Sequence, residues 1–349
     1  MVSLVNLVEQ AVNGVLSDAG PLRIPGRGSI PTTSLYFADP LAGLIGDRIG
    51  AAGLPIRRIS ATIFTCGDTA VVIRYAGERE LAFLRRGGFR KIYLLIDDDL
   101  QALHKNDGLP ADWRRRLIAY RDGLLPKLLH LVTHVVAPSE PILQSYRRHV
   151  PMRLDPAQCH AAAALDHHDS KGRLDIVFAA TRSHLRDLEF FAPAIAGFLK
   201  ARPDAHLTTF LNGHAPAAFK GLPNVTHHSP MGWERYRAFV ATRRFHVAIA
   251  PALDTAFNRA RSLSRLHDHA AYGAAGLYST QPPFAGTIAD GASGRLLPND
   301  PEAWQAALFD LADRRDGARH LAKGGQRLSA ALGGQGRVRA FWQRQFGLN

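Results

Sequence analysis

The sequence predicts an α/β protein of two domains, each a largely parallel sheet with helical crossovers. Three observations carry this. At 349 residues the chain is longer than one hydrophobic core usually serves. Short apolar runs alternate with helical or polar segments along both halves, as parallel strands joined by crossovers do. Between Pro151 and Gly172 the alternation dissolves into a stretch rich in His, Ala and Asp, then resumes. That break reads as an interdomain connection with its boundary near Leu165, giving domains 1–165 and 166–334 and a tail 335–349.

The elements follow in order. Met1–Leu16 reads as a helix; it carries Glu9 and lacks a basic start and a small-residue cleavage site, so it is not a secretion signal. No apolar run approaches the roughly 20 residues of a membrane span, and the cytoplasm is the expected compartment. A Pro/Gly-rich loop, Gly20–Pro31, leads to a β-like run at Leu35–Ala38 and a helix near Leu41–Ala52. Apolar runs recur at Ile56–Ile59, Ala70–Arg74, Ile92–Ile96 and Thr133–Ala137. The run at Ala70 follows Gly67-Asp68, and that at Ile92 ends in Asp97-Asp98-Asp99, so polar groups mark strand ends where open α/β sheets bind ligands. The second half predicts strands at Leu174–Ala180, His206–Leu211 and Val247–Ala250. Its helices are predicted at Leu185–Ala201, Trp233–Ala241, Ser262–Tyr272 and Pro301–Ala312, with an amphipathic Gln335–Phe346 that crosses back to the first domain.

Composition narrows the function classes. The net charge of +13 comes almost wholly from arginine. Such a surface attracts phosphate-bearing ligands, acidic polysaccharide, nucleic acid or anionic lipid, so peripheral contact with the inner face of a membrane is open. No recognition motif or interleaved basic and aromatic patch supports a nucleic-acid partner. Cys66 and Cys159 are far apart, which excludes a disulfide scaffold and a cysteine zinc site. The pairs His167-His168 and His227-His228 send adjacent side chains in divergent directions, and no metal is assigned.

Chemistry concentrates after the predicted strand Val247–Ala250. In a helix starting near Asn258 or Ser262, Arg261, Arg265 and Asp268 fall at i, i+4 and i+7 on one face. Two guanidinium groups can clamp a diphosphate, the helix N-terminus adds partial positive charge, and a carboxylate one turn on can accept ribose hydroxyls. The plainer alternative is a solvated helix whose arginines pair with Asp268. In the first half, Asp97 or Asp98, adjacent acids at a strand end, can bind a ligand hydroxyl with Arg74 pairing to them, whereas Asp99 suits a helix cap.

The segment from Phe257 to Asp268 resembles the donor-site motif of retaining glycosyltransferases of the GT-B fold (glycosyl transferases group 1, family 4-like), in the variant Phe-Asn-x-x-Lys-Ser-x-x-Lys-x-x-Glu. Phe257, Asn258 and Ser262 match, Arg261 and Arg265 stand at the two lysines, and Asp268 at the glutamate. Gly273, Ser279, Asp290–Leu297 and Asn299–Trp304 continue the likeness downstream. Upstream, Leu174–Phe191 is similar to the family's strand, phosphate-facing loop and helix. There Thr181, Arg182 and His184 would line the site, unless His184 merely caps its helix through Asp187. Eight positions before Asp268, where the more familiar motif carries glutamate, stands Ala260.

The resemblance implies two Rossmann-like domains facing across a cleft, with a nucleotide-diphosphate sugar as substrate and no cofactor. The sugar would pass, with retention, to a saccharide, lipid-linked or other hydroxyl acceptor. Donor contacts would come from Arg261, Arg265, Asp268, Asn258, Ser262, Thr181, Arg182 and His184, and acceptor-side chemistry from Asp97, Asp98 and Arg74, with Arg261 also catalytic. Two alternatives stay open: a metal-dependent GT-A-type transferase using Asp97–Asp99, and a non-catalytic nucleotide- or glycan-binding module with a decayed donor site.

Overall fold

The computed structural model describes residues 30–46, 53–103, 109–170 and 172–348. The predicted helix Met1–Leu16, nearly all of the loop Gly20–Pro31, and the end of the predicted helix Leu41–Ala52 lie outside the described residues. The chain forms two compact units, one from the residues up to Gln101, Arg115–Ala157 and Gln335 onward, the other from Ala102–Arg114 and Gln158–Gly334. Among the described residues no helix is long and apolar enough to cross a membrane.

The first unit holds β1 (Ile45–Gly46), β2 (Ile56–Arg58), β3 (Ile63–Cys66), β4 (Thr69–Ile73), β5 (Lys91–Leu95), β6 (His134–Ala137) and β7 (Val150–Arg153), lying across one sheet in chain order. From β4 to β7 the pairing is parallel, with α1 (Glu78–Arg86), α2 (Ala111–Leu129, whose first four residues are grouped with the second unit) and α3 (Glu140–Ser145) in the connections. β4 is buried at all five positions, as expected of a parallel strand covered on both faces. The parallel pairing does not extend to its start: β3, absent from the prediction, pairs antiparallel with both β2 and β4. Gly67-Asp68 is the reason. It closes a two-residue turn with Gly67 at φ 56°, too short for any crossover.

The second unit is fully parallel. Its strands β8 (Leu174–Phe178), β9 (Ala205–Thr209), β10 (Val225–His227), β11 (Val247–Ala250), β12 (Ala275–Ser279) and β13 (Arg295–Leu297) lie in the order β10-β9-β8-β11-β12-β13. That is the doubly wound Rossmann order, which reverses direction between β8 and β11. Its helices are α4 (Leu185–Ala201), α5 (Trp233–Thr242), α6 (Ala256–Arg259), α7 (Ser264–Tyr272), α8 (Pro301–Asp313) and α9 (Arg315–Leu332). Leu188, Phe191, Ile195 and Phe198 of α4 recur at helical spacing and join Trp304 and Leu308 of α8 in the larger core. A smaller cluster with Val240, Ala248 and Tyr272 includes residues of α5, β11 and α7.

The chain enters the second unit between Ala157 and Gln158, ahead of the predicted boundary near Leu165. The His-rich stretch packs on that unit through His167 Nε2 to the Phe245 carbonyl at 3.0 Å and His168 Nε2 to the Gly273 carbonyl at 2.8 Å. Gly273 ends α7 at φ 69°, and a Cβ there would stand 3.0 Å from the His167 ring, so the position suits only glycine.

The last helix, α10 (Gln335–Phe346), belongs to the first unit and explains a misread segment. Leu35–Ala38, predicted as strand, is helical: Pro31–Thr33 opens an α-turn that widens into a π-turn over Ser34–Ala38. Leu35, Tyr36 and Phe37 are buried, Trp342 Nε1 donates to the Tyr36 carbonyl at 2.6 Å, and Phe37 meets Trp342 edge-on at 5.0 Å. A short apolar run covered by a distant helix carries no period that separates strand from helix. The helix predicted from Leu41 is also replaced, by turns over 41–44 and then β1.

Candidate functional site

Where the strand order of an open α/β sheet reverses, the loops leaving the two central strands diverge to opposite faces and open a crevice. In the second unit these loops follow β8 and β11. The first carries Thr181, Arg182 and His184, and the second runs through α6 into α7 with Asn258, Arg261, Ser262, Arg265 and Asp268. The two loops are joined directly, since the Arg265 guanidinium donates to the Ala179 carbonyl just beyond β8.

The predicted single helical face is not what presents the arginines. α6 ends at Arg259 and α7 begins at Ser264, so Arg261 stands in the connection and Arg265 in the first turn of α7. Thr255 Oγ caps α6 by accepting from the Asn258 N–H at 3.1 Å, which sets where Arg261 emerges. Arg261 lies over the Phe257 ring at 4.8 Å and donates through Nε to Asn258 Oδ1 at 3.3 Å. Asn258 is buried, with both amide hydrogens given to Asp187 Oδ1 at 2.8 Å and the Leu253 carbonyl at 2.9 Å; it orients Arg261. Ser262 Oγ accepts from the Ser264 N–H at 3.4 Å, at the start of α7.

Asp268 lies one turn below Arg265, which donates to it at 3.2 Å. Burial pushes its carboxyl up to about 6, against the pull of Arg265 and the Tyr236 hydroxyl. Tyr236 on α5 accepts in turn from Tyr272 at 3.3 Å. His184 is held neutral, its value depressed to about 4 by burial and then by the Arg261 charge, with Arg265 adding to it against Asp187. Its Nδ1 donates to Asp187 Oδ2 at 3.2 Å, so the capping contact exists and the ring also stands within the arginines' field. Thr181 is exposed and bonds Ser183 at 3.1 Å; Arg182 pairs with Asp112 of the same unit at 3.4 Å.

Two residues stand out that motif reading undervalued. Asp187 accepts from the Leu253 N–H at 3.0 Å as well as from Asn258 and His184, so one buried carboxylate fastens both loops together. The sequence offered it only as a cap three residues after His184. Tyr236 comes from a different helix, and nothing in its local spacing announces that it meets Asp268.

In the first unit, Arg74 directly follows β4 with φ 65°, a left-handed conformation unusual for a side chain of this size. Its guanidinium forks between the acids that follow β5, pairing with Asp97 Oδ1 at 3.3 Å and closely with Asp98, and it also donates to Thr32 Oγ at 3.2 Å and the Tyr75 hydroxyl at 3.1 Å. Thr32 Oγ donates to Asp97 at 2.6 Å. Burial pushes Asp97 up from the usual carboxylate range while Arg74 opposes the rise. Asp99 turns elsewhere: it accepts from the Gln101 N–H at 3.0 Å and the Ser145 hydroxyl at 2.7 Å, fixing the turn that follows β5. The three acids therefore do not converge as the Asp97–Asp99 metal alternative requires.

No family model matches the sequence, and no curated protein matches it. Solved structures match the fold. Sucrose-phosphate synthase from Thermosynechococcus elongatus is 14% identical with a TM-score of 0.54, over 79% of this chain and 72% of that one. A UDP-forming α,α-trehalose-phosphate synthase from Burkholderia xenovorans is 13% identical with a TM-score of 0.52, over 80% and 74%. S. aureus TarM, solved with fondaparinux, α-GlcNAc-glycerol and UDP, is 9% identical with a TM-score of 0.54, over 79% of this chain but only 55% of its own. The chain thus has the pair of Rossmann-like domains of the GT-B fold.

Proposed function

We propose that this chain is a glycosyltransferase that moves a sugar from a nucleoside-diphosphate donor to a hydroxyl of a saccharide or lipid-linked acceptor, with retention at the anomeric carbon. One observation carries the reading: Arg261, Arg265 and Asp268 gather at the switch point of a doubly wound sheet, beside the loop that leaves β8. Fold likeness supports it, because one neighbour is a UDP-forming synthase and another was solved with UDP.

In this reading Arg261 and Arg265 hold the diphosphate, and Asp268 accepts from the ribose hydroxyls. As the bond from C1 to the phosphate oxygen breaks, negative charge grows on the diphosphate, and fixed guanidinium groups stabilise that charge more than the ground state. The departing phosphate oxygen takes the acceptor proton, so no separate base is required. Neutral His184 adds no charge of its own. The acceptor hydroxyl is assigned to the Asp97 and Asp98 carboxylates, which Arg74 holds in place.

A second reading, binding without transfer, is favoured by Ala260, which is buried where the more familiar motif has an acid. One experiment separates the two. Nucleotide sugars are screened for thermal stabilisation, and any that stabilises is assayed for diphosphate release with a panel of hydroxyl acceptors. Stabilisation with release supports transfer, stabilisation without release supports a binding module, and neither result sinks both.

A further inference from the structure

One buried donor near the candidate site has no use in the scheme above. Trp233 opens α5, is 7% exposed, and among the described residues its buried indole N–H meets no acceptor. A buried donor left unpaired is costly, so a tolerated one marks a place where a partner arrives. The ring is oriented by its neighbours. It lies nearly parallel to Tyr236, with centroids 6.0 Å apart and planes at 28°, and the Arg237 guanidinium sits 5.9 Å from its centroid. Because Tyr236 meets Asp268 through its hydroxyl, the indole stands one aromatic ring from the carboxylate assigned to the ribose. A nucleobase is one glycosidic bond from the ribose, so its edge falls to this part of the site.

The geometry points to Trp233 as the residue that reads the base: its indole N–H donates to O4 of uracil or thymine, or to O6 of guanine or hypoxanthine. Adenine and cytosine carry an amino group at that position, which would set donor against donor. This inference rests on Asp268 holding the donor ribose. A site built to hydrogen-bond one group rejects the analogue that lacks it more strongly than an apolar pocket can.

The test uses matched pairs, inosine against adenosine diphosphate and uridine against cytidine diphosphate, titrated calorimetrically into the full chain and its Trp233→Phe variant. The unaltered protein should prefer the keto member of each pair by about 10- to 100-fold. Trp233→Phe keeps the aromatic packing; it should weaken the keto nucleotides by about the same factor, leave the amino ones unchanged, and so erase the preference. Equal binding of both members, or a preference that survives Trp233→Phe, overturns the role of Trp233. If the variant does not fold, the matched pairs on the unaltered protein decide alone. Equal binding that is lost on Arg265→Ala leaves the donor site standing without Trp233, whereas binding of none of the four overturns both.

Discussion

Replacing Arg265 by alanine probes the donor site most directly, because this residue joins both loops of the crevice. Its side chain is 22% exposed and donates to the Ala179 carbonyl and to Asp268 at 3.2 Å. A charge-assisted contact to phosphate contributes about 1.5–3 kcal/mol, so Arg265→Ala should weaken donor binding roughly 10- to 100-fold. Turnover should fall further. The leaving diphosphate gains charge in the transition state, and removing one preorganised donor to such charge costs about 10²-fold in kcat. Asp268→Asn touches only the ribose and should act mainly through affinity. Arg265→Lys keeps the charge but loses the fork that reaches Ala179 and Asp268 together, so it should fall between parent and alanine. The assay pairs calorimetric donor affinity with initial rates of diphosphate release. A parental rate for Arg265→Ala, or a kcat loss no larger than that of Asp268→Asn, would refute the assignment of Arg265 to the diphosphate.

Three further outcomes are expected. Asp268, raised to about 6, binds its proton in the folded state where the unfolded chain has released it. It therefore adds stability below the ordinary carboxylate value of about 4 relative to neutral pH, and this is lost as pH rises through about 6. Donor binding runs the other way: nucleotide-sugar affinity should drop as pH falls through about 6, and Asp268→Asn should flatten that dependence; an unchanged slope would count against the ribose contact. Trp342 is fully buried among Phe37, Tyr93 and Phe346, so Trp342→Ala should cost about 3–5 kcal/mol in chemical denaturation while donor affinity in the second unit is preserved. Transfer should persist in excess chelator, because arginines neutralise the diphosphate; loss with EDTA restored by manganese would return the reaction to a divalent ion.

Legibility followed the range of the interactions involved. α4, α5, α8 and α10 each carry a buried stripe at helical spacing, and β11 is a plain apolar run, so local pattern located them closely. The segment at Leu35 failed because its burial comes from Trp342, some three hundred residues away in sequence. The first β-hairpin is hidden because Gly67-Asp68 resembles any polar strand flank in sequence, whereas its backbone makes a two-residue turn.

By itself the sequence determined two α/β halves, a positive surface dominated by arginine, and a cluster of arginines and an acid after one strand of the second half. Those follow from periodicity, composition and spacing, which act over a turn or two of chain. The tertiary structure alone decided that the second sheet reverses order between β8 and β11, which makes that strand end a crevice. It also decided that Asp187 fastens the two loops, that Tyr236 meets Asp268, and that Arg74 clasps Asp97 and Asp98 while Asp99 turns away. Each joins groups on separate elements, and burial in the folded chain is what sets their charge.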